Sequence, residues 1–357
     1  MKRLPLVLTC TLLSTSIHAD ADFTYRERVQ ITGGTVVTMM KFAGVFSRQA
    51  RKAGEPILST VMVKGNRMVR IDQDQTEMID LDAGTVTMID HAKRQYTTVT
   101  FEQMRKQMEA AAARARAEQA KEQHQAPPQT SGADSPKIDV KFKVKVRSTG
   151  ASKEVAGLSS KESILTMNMD ATDQKSGQAG SLAITNDMYL APEIPGYEEV
   201  REFDKRYAIK MGTVVRAAIN DQMIAMMQQP AVAQGMADMI QEMSKLKGIP
   251  VLQIMRIGTT INGMPLPAAS EVLLPVGPPP PTVGSVAKAA VMSSLPFGGF
   301  GKKKKQEEEP PMAIDSAAGV VLMESTTQYT DLSRASVDAS QFAVPSGYRM
   351  VEPKQLD

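Results

Sequence analysis

Apolar and charged side chains alternate without interruption along residues 137–147, within the sequence KIDVKFKVKVRSTG. A period of two is typical of a strand with one face on a core and the other in water. The apolar positions are Ile138, Val140, Phe142, Val144 and Val146, and the basic positions include Lys141, Lys143, Lys145 and Arg147. We interpret the basic row as a solvated face that also discourages edge-to-edge pairing of sheets. Contact with phosphate head groups or with an acidic partner is the alternative.

Strand patterns of the same kind fill residues 23–100, in short runs rich in Val, Ile, Thr and Tyr. Turn signals at 33–34, 65–66 and 82–84 separate the runs. They predict an antiparallel meander that includes a strand at 34–44.

A second group of strand patterns runs from 137 to 191. Two further patterns, at 249–263 and 319–333, flank a tract that contains PPPP, GGFG, KKKK and EEE. Such a tract cannot form a regular ladder or bury its charges, so we interpret it as an insertion. The two flanking patterns are predicted to be neighbouring strands of one sheet.

Helical periodicity appears in three places. Thr100 and Gln103 have the spacing of a capping box and predict a helix that begins at residue 101. Apolar residues recur at helical spacing over 198–229 and again over 232–247. Pro230 lies between the last two segments, which predicts a long helical hairpin or one broken helix.

The first twenty residues have the features of a secretory signal peptide. Lys2 and Arg3 precede a short apolar run, and Ala19 ends the predicted cleavage site. Cleavage there predicts a periplasmic or secreted protein with no integral membrane span. It also removes Cys10, and it lowers the 42 basic residues to 40, against 39 acidic residues. This near balance argues against nucleic acid as a partner.

These patterns together predict the organisation of the chain. The predicted parts are a signal peptide (1–19), N-terminal strands with a helix (20–125), a linker (126–136), the basic strand with further strands and Met-rich helices (137–272), a low-complexity insertion (273–315), and C-terminal strands that complete the same sheet (316–357).

Residue types that carry catalysis are few. After cleavage the chain keeps His91, in a predicted turn, and His124, at a predicted helix end, and neither is placed for a nucleophilic triad. Several aspartates occur near turns, and we interpret them as turn and exposed-strand acids in preference to ligands of a hard cation. They are Asp72, Asp74, Asp80, Asp82 and Asp90. We therefore predict a protein that is not an enzyme and holds no cofactor.

Methionine is the unusual component, with 25 residues against no tryptophan. Three interpretations are open: ordinary core packing, a soft-metal site for Cu(I), and an adaptable apolar groove. For the groove, the candidate residues on the two amphipathic helices are Met211, Val215, Met223, Met227, Met236, Met239 and Met243.

The chain resembles the domain-of-unknown-function 4412 family of exported bacterial proteins, and more distantly the lipoprotein-localisation carriers. Four phrases carry the resemblance: TEMIDLDAGTVTMIDHAKRQYTTVTFEQM, VAGLSSKESIL, GIPVLQIMRIG and FAVPSGYRMV. It implies an α+β fold in which a strongly curved antiparallel sheet, an incomplete barrel, is covered by amphipathic helices. In the carriers that hollow receives acyl chains.

The leading hypothesis is a non-enzymatic exported protein that binds a hydrophobic ligand, a lipid or lipidated chain, between its sheet and its helices. The alternative is a structural or assembly factor of the envelope that recruits a protein partner, with the surface that includes 298–311. A hydrolase that depends on His91 is the third.

Overall fold

A computed structural model of the 357-residue chain describes residues 22–37, 54–125, 138–173, 179–216, 219, 230–260, 264–272 and 319–353. The predicted signal peptide, linker and insertion lie outside the described residues.

The described strands form one sheet. They are β1 (Phe23–Gly33), β2 (Ile57–Lys64), β3 (Arg67–Ile71), β4 (Gln75–Asp80), β5 (Thr85–Asp90), β6 (Gln95–Thr100), β7 (Ile138–Val155), β8 (Leu158–Asp173), β9 (Ala179–Ala191), β10 (Ile249–Thr259), β11 (Val320–Ser333) and β12 (Arg349–Met350). Their order is β12-β6-β5-β4-β3-β2-β1-β11-β10-β9-β8-β7, so the sheet does not close on itself. Every pairing is antiparallel except the short one between β12 and β6.

The α+β class predicted from the sequence is confirmed. The helices with described bounds are α1 (Phe101–Gln125), α2 (Tyr197–Arg216), α3 (Pro230–Met243) and a 3-10 helix at Ala339–Phe342. Thr100 and Gln103 form the predicted capping box, because each backbone N–H donates to the other side chain, at 2.8 and 3.0 Å. Within the described residues, no helix combines the length and the apolar character that a bilayer span needs.

The helices pack on one face of the sheet, which we call the inner face. α2 contacts β1 and β2, α1 contacts α2 and β6, and α3 contacts β7. Phe203 of α2 and Phe23 of β1 are fully buried in this core, and the ring of Tyr197 meets Phe23 edge-on at 5.5 Å. Burial of these rings supplies much of the driving force that holds α2 on the sheet.

The opposite, outer face is covered by short segments. Residues 264–272, which we call the outer strap, lie over β9 and β10, where Leu266 is buried and its carbonyl accepts the hydroxyl of Thr185 at 2.7 Å. Near β3, the C-terminal segment places Phe342 under the guanidinium of Arg67, 4.9 Å from the ring centre. Both faces of the sheet are therefore partly buried.

The basic row lies on the edge strand of this sheet. Among the described strands, β7 has only β8 as a neighbour, and the side chains of Lys141 and Lys143 are 68% and 66% exposed. Phe142 points to the other face, where α3 packs on it. At the free edge, the backbone N–H of Val146 donates to Glu242 of α3 at 2.7 Å, so the helix caps part of the strand it covers.

The predicted strand at 34–44 is wrong in its first residues. Gly34 has a φ of +88°, and a side-chain carbon there would lie 2.5 Å from the carbonyl oxygen of Leu322. The chain turns at this close contact, and residues 35–37 adopt a helical conformation instead. Residues 38–44 lie outside the described part of the chain.

The contact between α3 and β7 predicts a large effect for one glycine. In Gly235→Ala the new methyl carbon would overlap Cβ of Phe142, so the helix must shift. We expect a loss of about 1–3 kcal/mol of unfolding free energy. Urea unfolding measures it. The matched control is Gly212→Ala in α2, which meets nothing within 4 Å and should gain about 0.5–1 kcal/mol from helix propensity. Equal effects in the two variants would contradict the packing described for α3.

Candidate functional site

An apolar ladder crosses the inner face between the two groups of helix contacts. It consists of directly paired residues on five neighbouring strands: Val144, Met167, Ile184, Ile257 and Met323. All five are only half buried. Side chains that pair directly across strands lie close together, so the ladder forms a continuous apolar strip.

The ladder continues into the adjacent rows of the same face. Leu165 and Met255 flank Asn186 in the next row, and Met188 lies in the row after that. We call the inner face of β8 to β11, with the ladder at its centre, the inner trough. Because α2 packs on β1 and β2 and α3 packs on β7, the two helices stand on either side of it.

Polar side chains interrupt the apolar surface in the two rows next to the ladder. Ser325 pairs with Met255, and the row of Met188 also contains Ser163, Gln253 and Thr327. The amide nitrogen of Asn186 donates to Gln253 Oε1 at 3.1 Å. The amide oxygen of Asn186 is buried, and among the described residues it has no hydrogen-bond partner. A buried acceptor without a partner costs about 1–3 kcal/mol of folding free energy. A ligand that donates a hydrogen bond to this oxygen would recover that cost, so Asn186 could select for a donor group.

A charged cluster borders the trough on its β1 side. The guanidinium of Arg70 lies 3.2 Å from Glu27 and 3.2 Å from Glu77, each distance between one nitrogen and one carboxylate oxygen. Burial raises the pKa of Tyr329 to about 12, and the charge of Glu27 adds to the shift. Burial also raises the pKa of Asp204 on α2, although Arg70 opposes that shift. The cluster gives this side of the trough a polar rim.

The predicted groove residues of α2 lie apart from the trough. Met211 is half buried against the core that α2 shares with α1, and Val215 is 53% exposed. Met223 and Met227 lie outside the described residues.

The predicted groove residues of α3 lie beside the trough. Met239 is half buried, whereas Met236 and Met243 are 44% and 47% exposed, with Ile240 between them at 67%. The main packing partner of α3 is β7 and that of α2 is β1 and β2, so the described groove residues of the two helices lie against different strands. The groove on the helices stays a prediction. The Cu(I) interpretation stays a prediction.

Sequence reasoning missed the strand side of this site. Its signal is methionine at alternate positions, as in Thr166-Met167-Asn168-Met169, and the same alternation places Met255 and Ile257 on one face. A period of two identifies the shared face of each strand. It does not identify which strands are neighbours.

His91 has a structural role in the described part of the chain. Its Nε2 lies 2.8 Å from the hydroxyl of Thr76, and its Nδ1 lies 3.0 Å from the hydroxyl of Tyr348. The imidazole therefore ties the β5–β6 turn to the C-terminal segment, with a hydroxyl on each nitrogen. The side chain of His124 lies outside the described residues.

The turn aspartates bond to backbone N–H groups of their own turns. One carboxylate oxygen of Asp72, of Asp80 and of Asp90 accepts such bonds at 2.6 to 2.9 Å. These are the contacts expected of turn acids. Across the residues that the structure describes, no group of three or more His, Cys, Asp or Glu side chains is placed to hold a metal ion.

Two carboxyl groups are buried side by side on the outer face. Glu162 is 3% exposed and Asp187 is 0% exposed. Asp187 Oδ2 accepts the backbone N–H of Ser270 in the outer strap at 3.0 Å, and its Oδ1 has no partner in the described chain. Burial raises the pKa of Asp187, the bonds from Ser270 oppose that shift, and the charge of Glu162 adds to it. Glu162 differs, because it accepts the hydroxyls of Thr149 and of Tyr189. Burial raises the pKa of Glu162, but these bonds outweigh burial and lower it, so Asp187 is the group of the two that keeps its proton to higher pH.

This pair predicts the pH dependence of stability. The pKa of Asp187 is higher in the folded than in the unfolded protein, so its contribution is fully present at low pH and is lost as the pH rises through the folded value. Asp187→Asn keeps an acceptor for Ser270 and has no charge to bury. We expect the variant to gain stability relative to the wild type as the pH rises above about 4, by at most about 1.4 kcal/mol per pH unit.

Urea unfolding at a series of pH values measures this difference. Asp139→Asn is the control, because Asp139 lies on the edge strand with its side chain 44% exposed. This control shows how much of any change comes from removing an exposed carboxylate. A pH-independent difference for Asp187→Asn would contradict the raised pKa of Asp187.

The chain was also compared with known proteins. It matches no protein-family model, and no curated protein matches it significantly.

Proposed function

We propose that the chain is an exported, non-enzymatic protein that binds the apolar part of a lipid or of a lipidated chain in the inner trough. The observation that carries this proposal is the apolar ladder, which presents half-buried side chains on five neighbouring strands. A soluble protein normally buries such a strip against its own helices or against a ligand.

The composition of the trough suits a ligand of variable shape. Methionine contributes Met167, Met188, Met255 and Met323, and its unbranched thioether chain adapts to irregular apolar surfaces. Each methylene group that leaves water gains about 0.8 kcal/mol, so an acyl chain of ten carbons would gain several kcal/mol beyond the costs of binding.

The proposal includes the shape of the sheet. Open sheets of many strands twist and curl, and twelve strands exceed the common range. We propose that the sheet curves strongly toward its helices, as an incomplete barrel, with α2 and α3 as walls of the hollow. The resemblance to lipoprotein-localisation carriers supports the same arrangement, and the signal-peptide pattern at 1–19 supports a periplasmic or secreted location.

Two substitutions in the trough test the site. Met167→Gln and Met255→Gln keep the length of the side chain and add an amide that must be desolvated on binding. We expect each to weaken the binding of a fluorescent fatty acid by about tenfold or more. The control is Met350→Gln on β12, where methionine is 57% exposed and binding should change less than twofold.

Native mass spectrometry of the protein purified without detergent gives the complementary result. An extra mass that is lost in the two trough variants and kept in Met350→Gln would support a lipid ligand. A bare polypeptide that also fails to bind the fatty acid would contradict the proposal and favour the alternative of an envelope assembly factor.

A further inference from the structure

A polar cavity of about 450 Å³ lies on the β2–β3 side of the sheet, and it shares no lining residue with the inner trough. It forms where the β2–β3 turn meets the turn after β4 and the chain that follows β11. Its charged and amide side chains are Asp22, Lys64, Asn66, Arg67, Asp82 and Arg334. Four separate segments contribute these groups, so the cavity is a product of the fold.

The two acidic groups of the cavity wall are already engaged. Asp22 accepts the backbone N–H of Val337 at 2.6 Å and the ammonium group of Lys64 at 2.9 Å. Asp82 Oδ1 accepts the amide of Asn66 at 2.7 Å. Burial alone would raise the pKa of Asp22, but the bonds from Val337 and Lys64 lower it, so its charge is held in the wall.

The two guanidinium groups of the wall are not engaged in this way. Arg67 stacks on the ring of Phe342, and this contact does not itself use its N–H donors. The stem of Arg334 packs on Gly196, where an added side-chain carbon would lie 3.0 Å from Cγ of Arg334. In the described part of the chain, neither guanidinium lies within salt-bridge distance of a carboxylate. Each is therefore oriented by a contact that does not use its hydrogen-bonding edge.

We propose that this cavity binds a phosphate group, carried by a small soluble ester or by a lipid head group, with Arg67 and Arg334 as its main ligands. A guanidinium binds phosphate through two parallel N–H donors, and a phosphate offers oxygens to several donors at once. Lys64 uses two of its three ammonium protons on Asp22 and on the carbonyl of Val337, which leaves one for the anion.

The volume of the cavity and the positions of its two arginines favour phosphate over a simple carboxylate. The two arginines come from different segments, the start of β3 and the residue after β11, and they approach the cavity separately. A carboxylate is satisfied by one bidentate guanidinium, whereas a phosphate has oxygens left for a second one. A volume of about 450 Å³ also leaves room for the group that the phosphate esterifies.

NMR titration of the mature protein with inorganic phosphate and with glycerol 3-phosphate tests the proposal. We expect amide shifts centred on residues 64–67 and 334–337, and at least tenfold weaker binding in the double variant Arg67→Gln/Arg334→Gln. The single variant Arg334→Gln keeps the contact between Arg67 and Phe342, and it should lose at least threefold with the fold unchanged by circular dichroism.

The matched control is Arg26→Gln/Arg201→Gln. It also removes two positive charges, but from arginines outside the cavity that pair with Asp331 and Glu193. Phosphate affinity should stay within twofold. Equal losses in the two double variants, or shifts spread over the whole surface, would overturn the proposal in favour of general charge attraction.

A second arm distinguishes the two sources of phosphate. Binding to vesicles of phosphatidylglycerol in phosphatidylcholine is measured by co-sedimentation, with the same variants. Vesicle binding that depends on Arg67 and Arg334 assigns the site to a lipid head group. Binding of glycerol 3-phosphate without vesicle binding assigns it to a soluble ester. No arginine-dependent binding in either arm would refute the site.

Discussion

The buried ion pair between Arg256 and Glu324 is the interaction on which the architecture depends. Arg256 is 1% exposed, and its Nε lies 2.8 Å from Glu324. It joins β10 to β11, and its Nη1 donates to the carbonyls of Pro267 and Ala268 in the outer strap. One side chain thus holds two strands and the segment that covers them. Removal of either charge would leave the other buried and uncompensated, which costs about 3–5 kcal/mol.

The two faces of the sheet differ in the side chains that they bury. The outer face buries charge, in Arg256 with Glu324 and in Asp187 with Glu162, under a short strap that supplies backbone partners. The inner face has a charged cluster at one border, and across the trough it combines the apolar ladder with polar residues in the adjacent rows. Because the strap already satisfies the outer face of β9 and β10, the same strands can present methionine and isoleucine on the opposite face. The outer face therefore carries the buried ion pair that holds the strands together, and the inner face carries the methionines of the trough.

Local patterns predict much of this fold. The period of two locates β7, and the capping box places the start of α1, because each depends only on near neighbours in sequence. The same signals cannot place β11 between β1 and β10, and they do not indicate that Arg256 and Asp187 are buried. They also place the candidate ligand residues on helices, whereas the apolar ladder lies on strands whose order is a long-range property. His91 contacts Tyr348 for the same reason, through a segment far along the chain.

The position of β11 also has a consequence for folding time. β11 lies between β1 and β10, so neither of these two pairings can form before β11 is available. The hydroxyl of Thr32 in β1 donates to the carboxylate of Glu324 in β11, 292 positions later in the sequence. Contacts of such separation form slowly, because most of the chain must be ordered before they are made. Until β11 is present, two incomplete sheets each display an unpaired inner edge. A chain built in this way folds slowly after synthesis. For the export that we propose, this delay leaves the chain unfolded while it passes through a translocation pore.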